Sequence, residues 1–429
     1  MAWTSRYESV DPGAGRLGAW SGKVRTYRCC WLAALALGFA TVAVLALRPR
    51  LQTKGQVLFF DDFDELDSSK WFVERSLDDG GNGEFQAYTD DPSIVFARKS
   101  RLVIQPRPMT ADAWYHLADY RAELQRAKTA DEKASLKGLR HALEQPGAVP
   151  FALNSGRVNL AVAECTASES ERCGLEGDWD DPIPPIVSAM VSTKHSFAFT
   201  YGTLETRIRV PVGDWVWPAV WLLPVGDKYS GWPMSGEIDL MEARGNGPNF
   251  EVKGSDQSGL AGNDRLAGTI HCADAAGLDD YALANTTTLG LEDDEGFLVI
   301  GLEKRPGFVQ TYARERDGSK RQLAVYPAQP GSDPKTSPTC ANAAYHGSPD
   351  APYDQEYYLI INAHPRVAVG GSLGGGGRPR VLYWGSEAPW RNCSHDKGCD
   401  PKTLFQQQQA QWLPTWTRPF EIDWVRVTK

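Results

Sequence analysis

The chain has 429 residues, of which 42% are hydrophobic and 23% charged, a balance that excludes a wholly disordered, collagen-like or polytopic membrane protein. Its net charge of −9 divides into +6 over residues 1 to 54 and −15 over the remainder, and the acidic remainder excludes a nucleic-acid-binding role. With 41 Gly, 28 Pro and 15 Trp, the composition suits a turn-rich all-β domain with an aromatic binding surface better than a helical bundle.

From Cys29 to Leu47 the chain runs 19 residues without a charge, with Lys23, Arg25 and Arg28 before and Arg48, Arg50 and Lys54 after. That length spans a bilayer core of about 30 Å. The expected organisation is a cytosolic tail at 1–28, a transmembrane signal anchor at 29–47, a linker at 48–55 and a folded domain at 56–429. The competing reading is a signal peptide cleaved near Val44-Leu45-Ala46, which would give a secreted protein. Basic residues balance across the segment, so orientation rests on other signals. Six cysteines follow in the acidic part, Cys165, Cys173, Cys272, Cys340, Cys393 and Cys399, without zinc-ligand spacing. Disulfides are the economical reading, with 165 to 173 and 393 to 399 as the short-range pairs. Two glycosylation sequons, at Asn285 and Asn392, agree with them. The resulting expectation is a single-pass type II membrane protein with a lumenal or extracellular domain.

Strand-like runs follow in order: Gln56 to Phe60, Arg101 to Gln105, Ala189 to Thr193, Gly202 to Val210, Trp217 to Leu223, Glu237 to Glu242, Ala267 to His271, Phe297 to Glu303, Val309 to Ala313, Tyr357 to Ala363 and Phe420 to Val427. Short strands separated by Gly and Pro turns predict a sandwich or barrel. Between Ala111 and Gln145 the composition turns to Ala, Leu, Lys, Glu and Arg with leucines at helical spacing, which predicts a helical hairpin insertion. Thr129 and Glu132 supply a capping box for its second helix, and Pro146-Gly147 ends it. Gly370 to Gly377 reads as a glycine-rich loop.

The most informative segment places Glu237, Asp239 and Glu242 within an apolar run. A helix would scatter these side chains around its axis. A regular strand would put Glu237 and Asp239 on one face and Glu242 on the other, because its offset is odd. One extra residue near Leu240 and Met241, a β-bulge, returns Glu242 to the shared face. Three neighbouring carboxylates repel one another, which raises at least one pKa and keeps a carboxyl protonated near neutrality. Glycoside cleavage needs such a pair, roughly 5 to 5.5 Å apart for a retaining enzyme and roughly 6.5 to 9.5 Å for an inverting one. A solvated acidic strand face and a calcium site are the competing readings. Neither accounts for Trp215, Trp217, Trp221 and Trp232 just upstream, whose rings can stack on sugar faces.

At these residues the sequence resembles the family 16 glycoside hydrolases, in the laminarinase and β-1,3-glucan-binding protein branch. The resemblance is carried by Tyr201 to Asn246 with its Glu-x-Asp-x-x-Glu signature. It extends to Val57 to Trp71, Asn82 to Gln86, Pro184 to Tyr201, Tyr353 to Gly371, Trp412 to Trp416 and the terminal strand. It implies a jelly-roll β-sandwich with a concave glycan-binding cleft, to which the helical insertion and the transmembrane segment are additions. It implies Glu237 as nucleophile, Glu242 as acid/base and Asp239 as the residue tuning charge between them. Trp232, Trp217 and Trp221 would line sugar subsites, with Asn82, Arg207 and His271 as further contacts. No cofactor is implied for catalysis; a structural calcium near the paired terminal strands is, with Asp423 as its candidate ligand. The implied activity is endo-acting hydrolysis of β-1,3-glucan with retention. The alternatives are glucan remodelling by transglycosylation, as in membrane-anchored fungal relatives, and non-catalytic recognition, as in the lectins of this branch.

Overall fold

Strands that alternate buried and exposed side chains must cover their apolar faces against a second layer. Here two large sheets do so. In the computed structural model the chain divides into two units, Met1–Lys54 and Gly55–Lys429. The residues described are 55–77, 84–110, 113, 128–130, 133–134, 137, 158–167, 173–177, 184–253, 259–365, 388 and 401–429.

The first sheet runs, in spatial order, Lys320–Tyr326, Phe308–Arg314, Leu298–Arg305, Gly202–Arg209, Phe420–Thr428, Leu102–Ile104 and Val95–Ala97, with Val57–Asp61 also paired to Phe420–Thr428. The second runs Asp279–Thr287, Arg265–Ala273, Glu237–Glu242, Val216–Pro224, Tyr357–Pro365, Ile186–Ser192 and Phe72–Val73, with Gln86–Tyr88 and Arg107–Pro108 also on Ile186–Ser192. All these pairs are antiparallel except Gln86–Tyr88 with Ile186–Ser192. Both ends of the domain are strands, and they pair with each other. The result is an all-β sandwich, consistent with a jelly roll.

Between the layers, Leu204, Ile208, Ile300, Leu302 and Val425 of the first sheet belong to one buried cluster with Val220, Leu222, Ile238, Leu240, Ile270 and Ile361 of the second. Each such side chain contributes about 1.5–3 kcal/mol by leaving water. The strands anticipated from Gly202 to the C-terminus are all present, generally extended by one or two residues. Asp279–Thr287 and Lys320–Tyr326 are strands that the apolar pattern did not announce. In Asp279–Thr287 the buried positions are Ala282 and Ala284, small residues of low β-propensity, so the alternation carries little hydrophobic contrast.

In the insertion, Ala113, Ala130, Lys133, Ala134 and Lys137 are helical. The rest of 111–145, Glu132 of the capping box included, lies outside the described residues. So do the anchor at 29–47, Asn82, the Cys393 and Cys399 pair, the Asn392 sequon and Gly370 to Gly377. Among the described residues no helix is long and apolar enough to cross a membrane. The Cys165–Cys173 disulfide is formed, and Cys272 pairs with Cys340, 68 residues away.

The turn leading into the acidic strand is fixed from one side by tyrosines. Tyr345 donates to the Met234 carbonyl at 2.7 Å, and Tyr357 donates to the Ser235 carbonyl at 2.6 Å. Gly236 sits between this turn and Glu237 at φ +79°, where a Cβ would lie 2.7 Å from the Tyr357 hydroxyl oxygen. Gly236→Ala should therefore lose about 1–3 kcal/mol of stability from the left-handed backbone alone, with more from the close approach to Tyr357. Urea unfolding followed by tryptophan fluorescence measures it, and an unchanged midpoint would contradict this account of the turn.

Candidate active site

The acidic strand carries its carboxylates on one face because its register slips once. Against Val216–Pro224, Asp239 pairs with Trp221 and Ile238 with Leu222, whereas Met241 pairs with Val220 and Glu242 with Ala219. Leu240 is the extra residue. On the other side Glu237 pairs with His271, Asp239 with Thr269 and Glu242 with Ala267, with the same slip between Asp239 and Glu242. Directly opposed residues share a face, so Glu237, Asp239 and Glu242 stand together with His271, Trp221 and Ala219. The bulge expected from the spacing is present. Leu240 and Met241 are both wholly buried, so the core holds the slip in place.

Around Glu237 the polar atoms are closely knit. Trp232 donates its indole N–H to Glu237 Oε2 at 2.7 Å, while its ring is 50% exposed. His271 Nε2 lies 3.2 Å from Asp239 Oδ2, and its Nδ1 lies 3.0 Å from Asp279 Oδ1. Burial opposes a charge on His271, but the hydrogen bonds to Asp239 and Asp279 outweigh it and raise its pKa well above 6.5. Glu237 is pushed from 4.5 up to about 8, first by burial and then by the Asp239 charge, against the opposing pull of His271 and the Trp232 hydrogen bond. The retained proton thus sits on Glu237, the residue implied as nucleophile, because burial disfavours its charge and the neighbouring Asp239 adds to the effect.

Oxygens of Glu237 and Asp239 and a ring nitrogen of His271 lie within 4.8 Å of one another, close enough to ligate a cation. With a carboxylate within 3.2 Å of each ring nitrogen, His271 serves here as the counter-charge to Asp239 and Asp279.

The remaining anticipated site residues separate clearly. Trp221 lies opposite Asp239 and donates to Asn362 Oδ1 at 3.0 Å, which orients its ring on the acidic face. Trp217 is only 6% exposed and stacks on His364 at 4.7 Å, within a buried cluster with Phe85, Phe405 and Trp412. In this structure Trp217 is a packing residue, whereas Trp221 and Trp232 leave more of their rings accessible. Arg207 belongs to the other sheet, where it pairs with Asp293 at 2.5 Å and with Asp423 at 2.7 Å and lies over the Phe297 ring, so it is not a contact of the acidic face. Asp423 is in turn paired with Arg207 at 2.7 Å, with Arg101 at 3.7 Å. Asp279 was not anticipated. On a strand of weak hydrophobic contrast, the adjacent acids Asp279 and Asp280 give no sign of which faces His271.

Because the folded-state pKa of Glu237 is raised, the native protein holds a proton there that the unfolded chain releases, between about pH 4.5 and 8. Stability linked to this group is complete below that window and is lost as pH rises through it. Glu237→Gln keeps an acceptor for Trp232 and has no proton to lose. Its melting temperature relative to the parent should therefore climb from pH 5 to pH 8 and level off above. A difference independent of pH, measured by scanning calorimetry, would remove the raised pKa.

No family model matches the chain. The β-1,3-glucan-binding protein of Penaeus monodon is 31% identical over 387 residues, covering 87% of this chain and 90% of its own length. The Gram-negative bacteria-binding protein 1 of Drosophila melanogaster is 27% identical over 87% of this chain and 64% of its own. The glucan endo-1,3-beta-glucosidase A1 of Niallia circulans is 31% identical over 45% of this chain and 24% of its own. Among solved structures, the laminarinase from Rhodothermus marinus is 19% identical, with a TM-score of 0.44 over 87% of this chain and 97% of its own. By its similarity to the Penaeus protein over 87% of its length, the chain belongs to the laminarinase and β-1,3-glucan-binding protein branch of the family 16 glycoside hydrolases.

Proposed function

We propose that the protein binds β-1,3-glucan on the acidic face of its second sheet and hydrolyses internal bonds with retention. The observation that carries the proposal is the bulge, which gathers Glu237, Asp239 and Glu242 onto one face beside an exposed indole. In this reading the ionised Glu237 attacks the anomeric carbon as the glycosidic C–O bond breaks, and Glu242 gives its proton to the departing oxygen. Water then attacks the glycosyl-enzyme, its proton passes to Glu242, and Glu237 leaves as carboxylate. Trp232 and Trp221 offer ring faces to the sugars.

Glu237 must give up its proton before it can attack. The imidazolium of His271 favours that ionisation, and Asp279 sustains the imidazolium. Asp279→Asn should therefore raise the Glu237 pKa further and move the acidic limb of the kcat/KM profile to higher pH, with less effect at alkaline pH. A uniform loss at every pH would mean that Asp279 supports only the fold.

A second reading, recognition without cleavage, is favoured by the names of relatives such as the Penaeus protein. Incubating the full chain in mild detergent with laminarin, and separating the products, discriminates the readings. Soluble oligosaccharides that keep the β-configuration at their new reducing ends are expected. Tight binding without products would favour recognition, and products longer than their oligosaccharide donors would favour transglycosylation. Glu242→Ala should abolish cleavage of the polysaccharide yet still cleave aryl glycosides, whose leaving groups need less protonation.

The proposed setting is lumenal or extracellular, on an uncleaved type II anchor at 29–47. The disulfides Cys165–Cys173 and Cys272–Cys340 support an oxidising compartment. Protease protection of the domain in sealed microsomes, together with the N-terminal residue of the mature chain, tests both parts.

A further inference from the structure

One sequence motif remains outside the catalytic reading, the sequon Asn285-Thr286-Thr287. It falls on the Asp279–Thr287 strand, which ends the second sheet next to Arg265–Ala273. Asn285 pairs with Ala267, and Ala267 pairs in turn with Glu242. The three residues therefore form one rung on one face, with only an alanine methyl between the acid and the asparagine. The burial pattern agrees: Ala282 and Ala284 point into the sandwich, while Tyr281 and Asn285 are exposed, and the Tyr281 ring lies 5.5 Å from that of His271. Two strand spacings place Asn285 about 10 Å from Glu242.

The direction of a bound glucan follows from the acids, on the reading that Glu237 and Glu242 flank the bond being cleaved. The line between them runs along their strand, so a sugar chain passing between them must cross the strands. One end of that chain leaves the sheet over Arg265–Ala273 and then Asp279–Thr287. Asn285 stands beside this exit.

We propose that Asn285 carries an N-linked glycan that stands on the acidic face and limits the length of glucan accepted at this edge of the sheet. The sequon supplies the acceptor, and the disulfides Cys165–Cys173 and Cys272–Cys340 match the oxidising compartment where the modification occurs. Transfer forms a bond from Asn285 Nδ2 to the first sugar as that sugar's bond to its lipid-linked pyrophosphate breaks, and one amide proton is released. The second N–H remains. Asn285 Nδ2 donates to the Leu260 carbonyl at 3.2 Å, so the folded strand can keep this contact after modification. The innermost sugars then extend from an exposed position, across the alanine rung, toward the path of the bound chain.

The full chain, produced in a eukaryotic secretory host, tests this in two readouts. Peptide mass before and after enzymatic glycan removal reports occupancy at Asn285. Affinity for β-1,3-gluco-oligosaccharides of increasing length, in a Glu237→Gln background that prevents turnover, reports the effect on the face. Asn285 should be modified, and affinity should stop rising with length earlier than in the Asn285→Gln variant, which should bind the longest oligosaccharides several-fold more tightly. Thr287→Ser keeps the acceptor motif and should behave as the parent. An unmodified Asn285 in protein whose disulfides are formed would overturn the proposal. A modified Asn285 with the same length dependence in all variants would overturn the role at the edge. If no form binds glucan while Asn285 is modified, the glucan reading falls together with the glycan's role in it, and the modification stands by itself.

Discussion

The arrangement of the site depends on one constraint: Leu240 and Met241 must both enter the core although they are consecutive. A regular strand cannot send neighbouring residues to one side. The extra residue at this point absorbs the conflict and rotates Glu242 back to the face of Glu237 and Asp239. Apolar burial, the strongest force in the sandwich, thus sets the geometry of its most polar feature. Side chains that never meet a substrate decide where the carboxylates stand.

Gathering the acids has an electrostatic cost, and the surroundings offset it selectively. His271 bridges Asp239 and Asp279 as a cation, which compensates two carboxylates at once. Glu237, buried beside Asp239 and accepting the indole N–H of Trp232, retains a proton. The support reaches outward. Tyr353 donates to the backbone carbonyl of His271 at 2.9 Å, and the neighbouring Cys272 is bonded to Cys340. The strand that supplies the counter-charge is therefore held both covalently and through a buried hydroxyl.

The sequence made the acidic strand legible because two periodicities conflicted within six residues, and only a bulge reconciles them. The same physics explains the failures. Trp217 and Trp221 lie on the same face of one strand, and nothing local distinguishes them. Burial of Trp217 comes from Phe405 and Trp412, almost 200 residues away, which close over it. Arg207 resembled a polar ligand residue, yet its strand belongs to the other sheet and its charge is consumed by Asp293 and Asp423. Asp279 escaped notice because its strand hides alanines rather than leucines. Local pattern reports which way a side chain points, whereas what it meets is decided by strands distant in sequence.

The distinction between recognition and cleavage can be framed by what each would require of this face. A binding surface needs ring faces and hydrogen-bond donors, and Trp232 and Trp221 supply the first without any help from carboxylates. Ring stacking makes no use of a carboxyl with its pKa raised to about 8, or of a cation held between two acids beside it. Those features weaken the fold as pH rises, and the proposed cleavage is the reading that would use them. The indole of Trp232 links the two roles, because the N–H that would otherwise bond a sugar hydroxyl is engaged by Glu237. On the proposed reading, a sugar stacked on that ring would be positioned against the carboxylate by the same side chain that helps the carboxylate ionise, which would couple binding to ionisation through that hydrogen bond.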